Sequence, residues 1–221
     1  SRQGLPKEKT AFCSFEYIYF ARPDSTIDQV NVWESRRQMG VELARECPLD
    51  ADVVVAVPDS GTPAAIGYAQ TLGLPFEEGL LKNRYVGRTF IQPTQELREV
   101  SIRIKLNTNS GVLRDRRVVL IDDSIVRGTT SSKLVEMVRA CGAKEVHLLI
   151  SSPPVCFSCY YGIDTAEREK LIANKMNIEE IRKFVGADTL YYLSEEGLKR
   201  ALSDNSVCLA CFNGDYPIKI Y

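Results

Sequence analysis

Two adjacent carboxylates followed by hydroxyl groups and a glycine make residues 118–132 the part of the chain best suited to chemistry. Residues 118–121 are a continuous apolar run, which predicts a strand buried on both faces of a parallel sheet. Asp122 and Asp123 follow at the carboxyl end of that strand, where open α/β sheets bind their ligands. Carboxylates in that place can accept hydrogen bonds from sugar hydroxyls or hold a hard cation such as Mg²⁺.

The loop after the aspartates and the helix that follows it have the composition of an anion-binding site. Gly128 permits a backbone angle that lets successive N–H groups converge on an anion, and Arg127 adds a fixed positive charge. Apolar residues then recur at helical spacing up to Gly142, so the positive amino end of a helix would face the same anion. The aspartate pair alone is typical of an ordinary strand–loop–helix, whereas the whole run predicts a site for a phosphate and a sugar.

These residues resemble the phosphoribosyl pyrophosphate (PRPP) motif of type I phosphoribosyltransferases, and the form Asp-Asp-Ser-Ile-Val-Arg-Gly-Thr-Thr is similar to that of the amidophosphoribosyltransferase branch. The resemblance implies that the two aspartates hold the ribose hydroxyls and a magnesium ion, and that the loop cradles the 5′-phosphate. It implies PRPP binding by Asp122, Asp123, Ser124, Ile125, Val126, Arg127, Gly128, Thr129 and Thr130.

A second loop, Val57-Pro-Asp-Ser-Gly-Thr-Pro63, lies between a predicted strand and a predicted helix and could offer backbone amides to an anion. By itself this segment is typical of a simple strand-to-helix turn. Beside the PRPP motif it resembles the pyrophosphate loop of the same family. The resemblance implies that Asp59, Ser60 and Gly61 bind PRPP and that Ser60 is an additional magnesium ligand.

Residues 82–91 resemble the flexible loop of the family, which orders over bound PRPP and helps to form a channel for ammonia. Without that resemblance the segment is a solvated, charged loop. The resemblance implies basic groups near the leaving pyrophosphate and an apolar wall made by Tyr85, Phe90 and Ile91. The catalytic residues that it implies are Lys82, Arg84, Tyr85, Arg88 and, at the end of the loop nearest the active site, Lys105.

Seven cysteines, an odd number, favour a reducing compartment and metal chemistry over disulfides. The C-x-x-C pairs Cys156/Cys159 and Cys208/Cys211 by themselves predict a four-thiolate zinc site. The family resemblance selects a different set, in which Cys13, Cys159, Cys208 and Cys211 are the ligands of a [4Fe–4S] cluster. Zinc, or no metal, stays open as an alternative.

Strands alternating with helices predict an α/β fold with a Rossmann-like parallel sheet and flanking helices. The resemblance to type I phosphoribosyltransferases implies, in addition, a flexible lid loop. The whole chain, 1–221, is expected to be one phosphoribosyltransferase domain in which residues 1–12 are a linker and residues 155–221 form a carboxyl-terminal hood that carries the cluster. Helices are predicted at 33–47, 62–73, 178–185 and 194–202, strands at 52–57, 79–82 and 145–150, and a long mobile loop at 83–110. Thr62 and Pro63 are expected to be the N-cap and the first residue of their helix.

The balance of charge narrows the possible functions. Lys and Arg total 28 and Asp and Glu total 29, which argues against nucleic-acid binding by bulk positive charge. The sequence contains neither an apolar run long enough to span a membrane nor a signal peptide at its start, so a cytoplasmic protein is expected. His147 lies in an apolar run and is predicted to be a strand residue, so a Ser-His-Asp triad is excluded.

The resemblance implies an enzyme that transfers ammonia to PRPP and forms 5-phosphoribosylamine and pyrophosphate, the first committed step of purine synthesis. It also implies an amino-terminal glutaminase domain outside this sequence, inhibition by purine nucleotides and a homotetramer. One alternative is a phosphoribosyltransferase that acts on a nucleobase, and another is a regulator that senses PRPP and binds nucleic acid. The cluster cysteines and the lid weaken the first, and the charge balance weakens the second.

Overall fold

The structure is a computed structural model that describes residues 11–83, 106–165, 167–203 and 206–218. Its strands are β1 (Phe12–Cys13), β2 (Thr26–Ile27), β3 (Val30–Asn31), β4 (Val53–Ala56), β5 (Leu80–Lys82), β6 (Leu106–Thr108), β7 (Arg117–Asp122), β8 (Glu145–Ile150), β9 (Thr189–Tyr192) and β10 (Val207–Cys208). Its α-helices are α1 (Val32–Glu46), α2 (Thr62–Leu72), α3 (Ser110–Leu113), α4 (Thr129–Ala140), α5 (Ile178–Val185), α6 (Glu195–Ala201) and α7 (Ala210–Asn213). A π-helical turn spans Glu16–Phe20, and 3₁₀ turns span Arg168–Lys170 and Ile172–Asn174.

A four-stranded parallel sheet in the order β4, β7, β8, β9 is the centre of the fold. The register places Ala56 beside Ile121 and Asp122 beside Ile150, so the carboxyl ends of these strands lie at one edge. The predicted strands at 52–57, 118–121 and 145–150 are therefore confirmed. Parallel pairing follows from the helical crossovers, and it brings the two predicted anion-binding loops to the same edge of the sheet.

Helices cover both faces of this sheet, which confirms the predicted Rossmann-like arrangement. Alternate strand residues point to opposite faces, so Val119 and Ile121 pack in a core with α1 and α2, and Val118 and Leu120 pack in a second core with α4 and α5. Helices α1 and α2 approach closely because Gly40 has no side chain, and a Cβ atom there would lie 1.8 Å from the carbonyl oxygen of Ala64.

The first turn of α2 differs from the prediction by one residue. Gly61 is the N-cap, so Thr62 and Pro63 are the first and second helical residues rather than the cap and the first residue. The amide of Gly61 donates to the carbonyl oxygen of Val57 (3.1 Å), and this bond closes the turn one residue earlier than predicted. The helix ends at Gly73 as expected, and this glycine is left-handed with φ of 68°.

The prediction of a long loop over residues 83–110 was wrong for its last residues, which form a strand and the start of a helix. Strand β6 pairs antiparallel with β5, and Asn109 caps the short helix α3 by accepting a hydrogen bond from the amide of Gly111. A three-residue strand and a four-residue helix are too short to produce a period that can be recognised in a sequence. Residues 84–105 lie outside the described residues.

The first and last parts of the chain contain strands that the sequence did not predict. Phe12 belongs to β1, which pairs in parallel with β10, so this residue is not part of a linker. Strand β9 lies within residues 155–221 but extends the central sheet, so this segment of the predicted hood belongs to the core. The two helices predicted in that region correspond to α5 and α6. Among the described residues, no helix combines the length and the apolar composition needed to cross a membrane.

His147 is a strand residue, as predicted. It lies in β8 and is buried, and its Nδ1 atom is 3.1 Å from the hydroxyl of Thr189 on the neighbouring strand β9. It lies in the first half of β8, away from the carboxyl ends of the strands.

Candidate active site

The carboxyl ends of β4 and β7 open into a cavity of about 910 Å³. Its lining contains most of the residues that the PRPP resemblance selected. They are Ser60, Asp122, Asp123, Ser124, Ile125, Val126, Arg127, Gly128, Thr129 and Thr130. The structure therefore brings together two segments that are about sixty positions apart in the sequence, as expected when both loops follow parallel strands.

Asp123 joins the two loops. Its Oδ1 atom accepts a hydrogen bond of 2.5 Å from the Ser60 hydroxyl, and its Oδ2 atom accepts one of 2.6 Å from the Ser124 hydroxyl. Each oxygen of this carboxylate is thus held by a hydroxyl from a different loop. Carboxylate oxygens fixed in this way, together with a neighbouring hydroxyl, are suited to sugar hydroxyls or to a hard cation.

Asp122 is more deeply enclosed than its neighbour. Its Oδ1 atom accepts a 2.9 Å hydrogen bond from the backbone N–H of Asp123, and the residue is buried. Burial, and then the charge of Asp123, raise the pKa of Asp122 well above its ordinary value. A cation or hydroxyl donors at this position would offset the cost of burying a second negative charge.

The loop between β7 and α4 is built around Gly128. This residue is the N-cap of α4 and has φ of 79°, a left-handed conformation that glycine adopts without strain. Ile125 is buried, and the carbonyl of Val126 accepts a 2.9 Å hydrogen bond from Ile172, so the loop is anchored to the protein. The first amides of a helix have no acceptor within the helix, and in α4 they follow directly after this loop. The arrangement can bind a phosphate.

Replacing Gly128 by alanine is expected to weaken binding of the PRPP that the sequence resemblance implies at least tenfold. It should also lower the free energy of unfolding by about 1–2 kcal/mol from backbone strain. An added Cβ atom would also lie 2.6 Å from Cδ1 of Ile172. The matched control is Gly73→Ala, because Gly73 has a similar φ of 68° and no heavy atom within 4 Å of an added Cβ. Thermal melts of both variants measure the loss of stability, and a titration with PRPP measures the loss of binding. Equal PRPP binding by the two would contradict the role given to the loop.

The second loop has a side-chain contact that the sequence did not indicate. Asp59 was assigned to PRPP, but its carboxylate forms an ion pair with the ammonium group of Lys82 at the end of β5. The amide of Gly61 is already bonded to Val57, and a Cβ atom at Gly61 would lie 2.5 Å from the carbonyl oxygen of Ile121. Gly61 thus allows the loop to approach β7 closely.

The remaining residues assigned to the lid cannot be placed. Arg84, Tyr85, Arg88, Phe90, Ile91 and Lys105 lie outside the described residues, so their assigned roles stay predictions. Leu106, the first described residue after that gap, lines the cavity.

Aromatic residues near the start of the described chain were missed as part of the site. Phe15, Tyr19 and Phe20 line the cavity, and the last two are about half exposed. The buried guanidinium of Arg36 holds their turn by donating to the carbonyl oxygens of Tyr17 (2.7 Å) and Ala21 (3.0 Å). The aromatic density of residues 15–20 was the only signal in the sequence.

Four cysteines converge beside this aromatic turn. Cys13 and Cys208 are partners in the β1–β10 ladder, and the carbonyl of Cys211 accepts hydrogen bonds from the amides of Cys156 and Phe157. Burial, and then the charges of Cys13, Cys208 and Cys159, raise the pKa of Cys211, so these three thiols lie near that of Cys211. All cysteines are free thiols.

Cys156 differs from this group, because its thiol lies 3.5 Å from the carbonyl oxygen of Pro154 and 3.8 Å from that of Ala173. Over the described ranges, no three His, Cys, Asp or Glu side chains stand in a ready-made metal geometry. The four thiols are therefore close together without being in a coordination arrangement.

The fold and this site define a class of protein. Residues 30–174 match the model of the phosphoribosyl transferase domain family, and the chain belongs to that family. It is 57% identical over 217 residues to an amidophosphoribosyltransferase of Archaeoglobus fulgidus, a match that covers 96% of this chain and 48% of the relative. It is 56% identical to the Bacillus subtilis amidophosphoribosyltransferase, with 96% and 46% covered.

A solved structure gives the same likeness in three dimensions. Glutamine PRPP amidotransferase from B. subtilis, complexed with ADP and GMP, superposes with a TM-score of 0.90 and 54% identity, covering 98% of this chain and 49% of that one. The predicted type I phosphoribosyltransferase fold is confirmed. The chain spans about half the length of the curated relatives that it matches.

Proposed function

We propose that this chain is the phosphoribosyltransferase part of an amidophosphoribosyltransferase. It would transfer ammonia to C1 of PRPP and release 5-phosphoribosylamine and pyrophosphate, the first committed step of purine synthesis. The observation that carries the proposal is the junction at Asp123, where hydroxyls from both loops meet one carboxylate. The similarity to amidophosphoribosyltransferases favours ammonia over a nucleobase as the nucleophile.

Different residues of the cavity would bind different groups of PRPP. The loop at Gly128 and the amino end of α4 would hold the 5′-phosphate, and Asp122 and Asp123 would hold the ribose hydroxyls. The loop at Ser60 would face the diphosphate, with the cation of Lys82 beside it. Displacement at C1 develops positive charge on the sugar and negative charge on the departing pyrophosphate, so carboxylates near the ribose and a cation near the diphosphate are suitably placed.

Ser60, Asp122 and Asp123 provide oxygen atoms of the kind that Mg²⁺ prefers, and Ser60 and Asp123 are already in hydrogen-bond contact. When bound, Mg²⁺ would neutralise charge on the diphosphate. Ammonia is a neutral nucleophile and needs little help from a general base. The apolar side chains of Phe15, Tyr19 and Phe20 would help to keep water away from the reacting carbon.

We further propose that Cys13, Cys159, Cys208 and Cys211 hold a [4Fe–4S] cluster. Four thiols are the donor set that this group requires. The β1–β10 ladder pairs Cys13 with Cys208, and the charges of Cys13, Cys208 and Cys159 raise the pKa of Cys211. The group would have a structural role, because a ladder with two residues in each strand is marginal by itself. The contacts of Cys156 with backbone carbonyls favour this set over the C-x-x-C zinc set.

The partners of the proposed enzyme follow from the same likeness. A glutaminase domain would supply ammonia from glutamine, a homotetramer would be the assembly, and purine nucleotides would inhibit. ADP and GMP are bound in the B. subtilis structure, which supports the last point. Free thiols throughout the described chain are consistent with a cytoplasmic enzyme.

Release of pyrophosphate from PRPP tests the proposal. Ammonium, adenine, hypoxanthine and orotate are offered separately with Mg²⁺, and pyrophosphate is measured. We expect ammonium to give pyrophosphate at least ten times faster than any base, and chelation of Mg²⁺ to abolish the reaction. Turnover with only a base would support a nucleobase phosphoribosyltransferase instead.

A further inference from the structure

The ion pair between Asp59 and Lys82 places a carboxylate beside the loop that would bind an anionic diphosphate. Asp59 lies between Pro58 and Ser60, which both line the cavity. Its Oδ2 atom contacts Nζ of Lys82, the last residue of β5. Lys82 pairs across the β5–β6 ladder with Leu106, which also lines the cavity. The pair therefore sits beside the loop that would face the diphosphate.

A diphosphate could replace Asp59 as the partner of the Lys82 ammonium group. The side chains of Lys82 and Asp59 are 52% and 73% exposed, and ion pairs of that exposure are weak because water screens them. A diphosphate carries more charge and more acceptor oxygens than one carboxylate, so it competes well for the same ammonium group. Asp59 cannot itself bind an anion through its side chain, and its direct repulsion of one is screened by water because the carboxylate is so exposed.

We infer that Asp59 is a positioning residue that acts through Lys82. Its carboxylate holds the ammonium group while the site is empty, yields it to the diphosphate, and takes it back as pyrophosphate leaves. Asp59 then weakens the binding of PRPP and of pyrophosphate alike and favours product release. The inference rests on the proposed function for the identity of PRPP, but the exchange itself can be measured with inorganic pyrophosphate.

The variant Asp59→Asn keeps the shape of the side chain and removes its charge. We expect the dissociation constant for inorganic pyrophosphate with Mg²⁺, measured by titration calorimetry, to fall about 3- to 5-fold, as loss of one screened ion-pair partner allows. The KM for PRPP should fall by a similar factor without an increase in kcat. A purely structural role would not separate KM from kcat in this way.

The chain offers a matched control in the pair Lys170–Glu167. Its side chains are 53% and 71% exposed, nearly the same as those of Lys82 and Asp59. Glu167→Gln changes the net charge equally and should leave pyrophosphate binding within about twofold of wild type, because long-range surface charge is screened. In a Lys82→Gln background, adding Asp59→Asn should have no further effect, since the carboxylate acts through the ammonium group.

Three results with the variants would overturn the inference. They are unchanged or weaker pyrophosphate binding by Asp59→Asn, an equal gain in Glu167→Gln, and a gain that persists without Lys82. The proposed function would fail while the inference stands if the variants bind pyrophosphate as expected but wild type does not transfer ammonia to PRPP. Wild type that binds no pyrophosphate would overturn both.

Discussion

Replacing Asp123 by asparagine is expected to lower kcat/KM for PRPP roughly 100- to 1,000-fold, the usual effect of losing one electrostatic group in an active site. Asp123 is the acceptor for the hydroxyls of both Ser60 and Ser124. An amide would present an NH₂ group to one of these donors and would remove the charge that faces the ribose and the cation. Steady-state kinetics with ammonium at saturating Mg²⁺ measure the loss.

Two further variants test whether the loss of activity is specific to position 123. Asp50→Asn removes the same charge at an exposed ion pair with Arg117, at the start of β7 and away from the cavity, so its kinetics should be close to wild type. Asp122→Asn should be milder than Asp123→Asn, because its remaining oxygen can still accept the hydrogen bond from the amide of Asp123. Equal losses in Asp50→Asn and Asp123→Asn would contradict the placement of the ribose.

Replacing Cys13 or Cys211 by serine is expected to remove the cluster, whereas replacing Cys156 should leave it intact. Protein purified without oxygen should carry about four iron and four sulfide per chain in wild type and in Cys156→Ser, since a [4Fe–4S] cluster needs four thiolates. Iron and sulfide analysis checks both. The thermal midpoint should fall in the first two variants, because β1 and β10 share only a two-residue ladder.

The comparison of these cysteine variants separates the two metal hypotheses. Cys47→Ser serves as a second control, because Cys47 lies at the end of α1. Bound zinc that is lost from Cys156→Ser but retained in Cys13→Ser would favour the C-x-x-C site. Wild type free of iron, sulfide and zinc would remove the metal proposal altogether.

The parts of the site that the sequence could predict are those encoded by short, local patterns. The apolar run before Asp122, the glycine at position 128 and the helical spacing after it are contiguous, so strand, loop and helix were all assigned correctly. Parallel pairing then implied that the loop at Ser60 lies nearby.

The rest of the site depends on contacts between distant segments, which no local pattern encodes. The pair of Asp59 with Lys82 and the contact of Arg36 with the aromatic turn exist only after the chain has folded. Strand β9 was missed because it has only four residues, Thr-Leu-Tyr-Tyr, and lies between two helices. The C-x-x-C spacing favoured zinc, and only the family resemblance pointed to Cys13.

Formation of the bond between C1 of the ribose and nitrogen is the most direct test of the central claim. PRPP labelled with ¹³C at C1 is mixed with ¹⁵N-ammonium and Mg²⁺, and the reaction is followed by NMR. We expect a ¹³C resonance coupled to ¹⁵N, with one pyrophosphate released for each coupled product. Pyrophosphate release that yields only uncoupled ribose 5-phosphate, or no consumption of PRPP with ammonium, would contradict the proposed transfer.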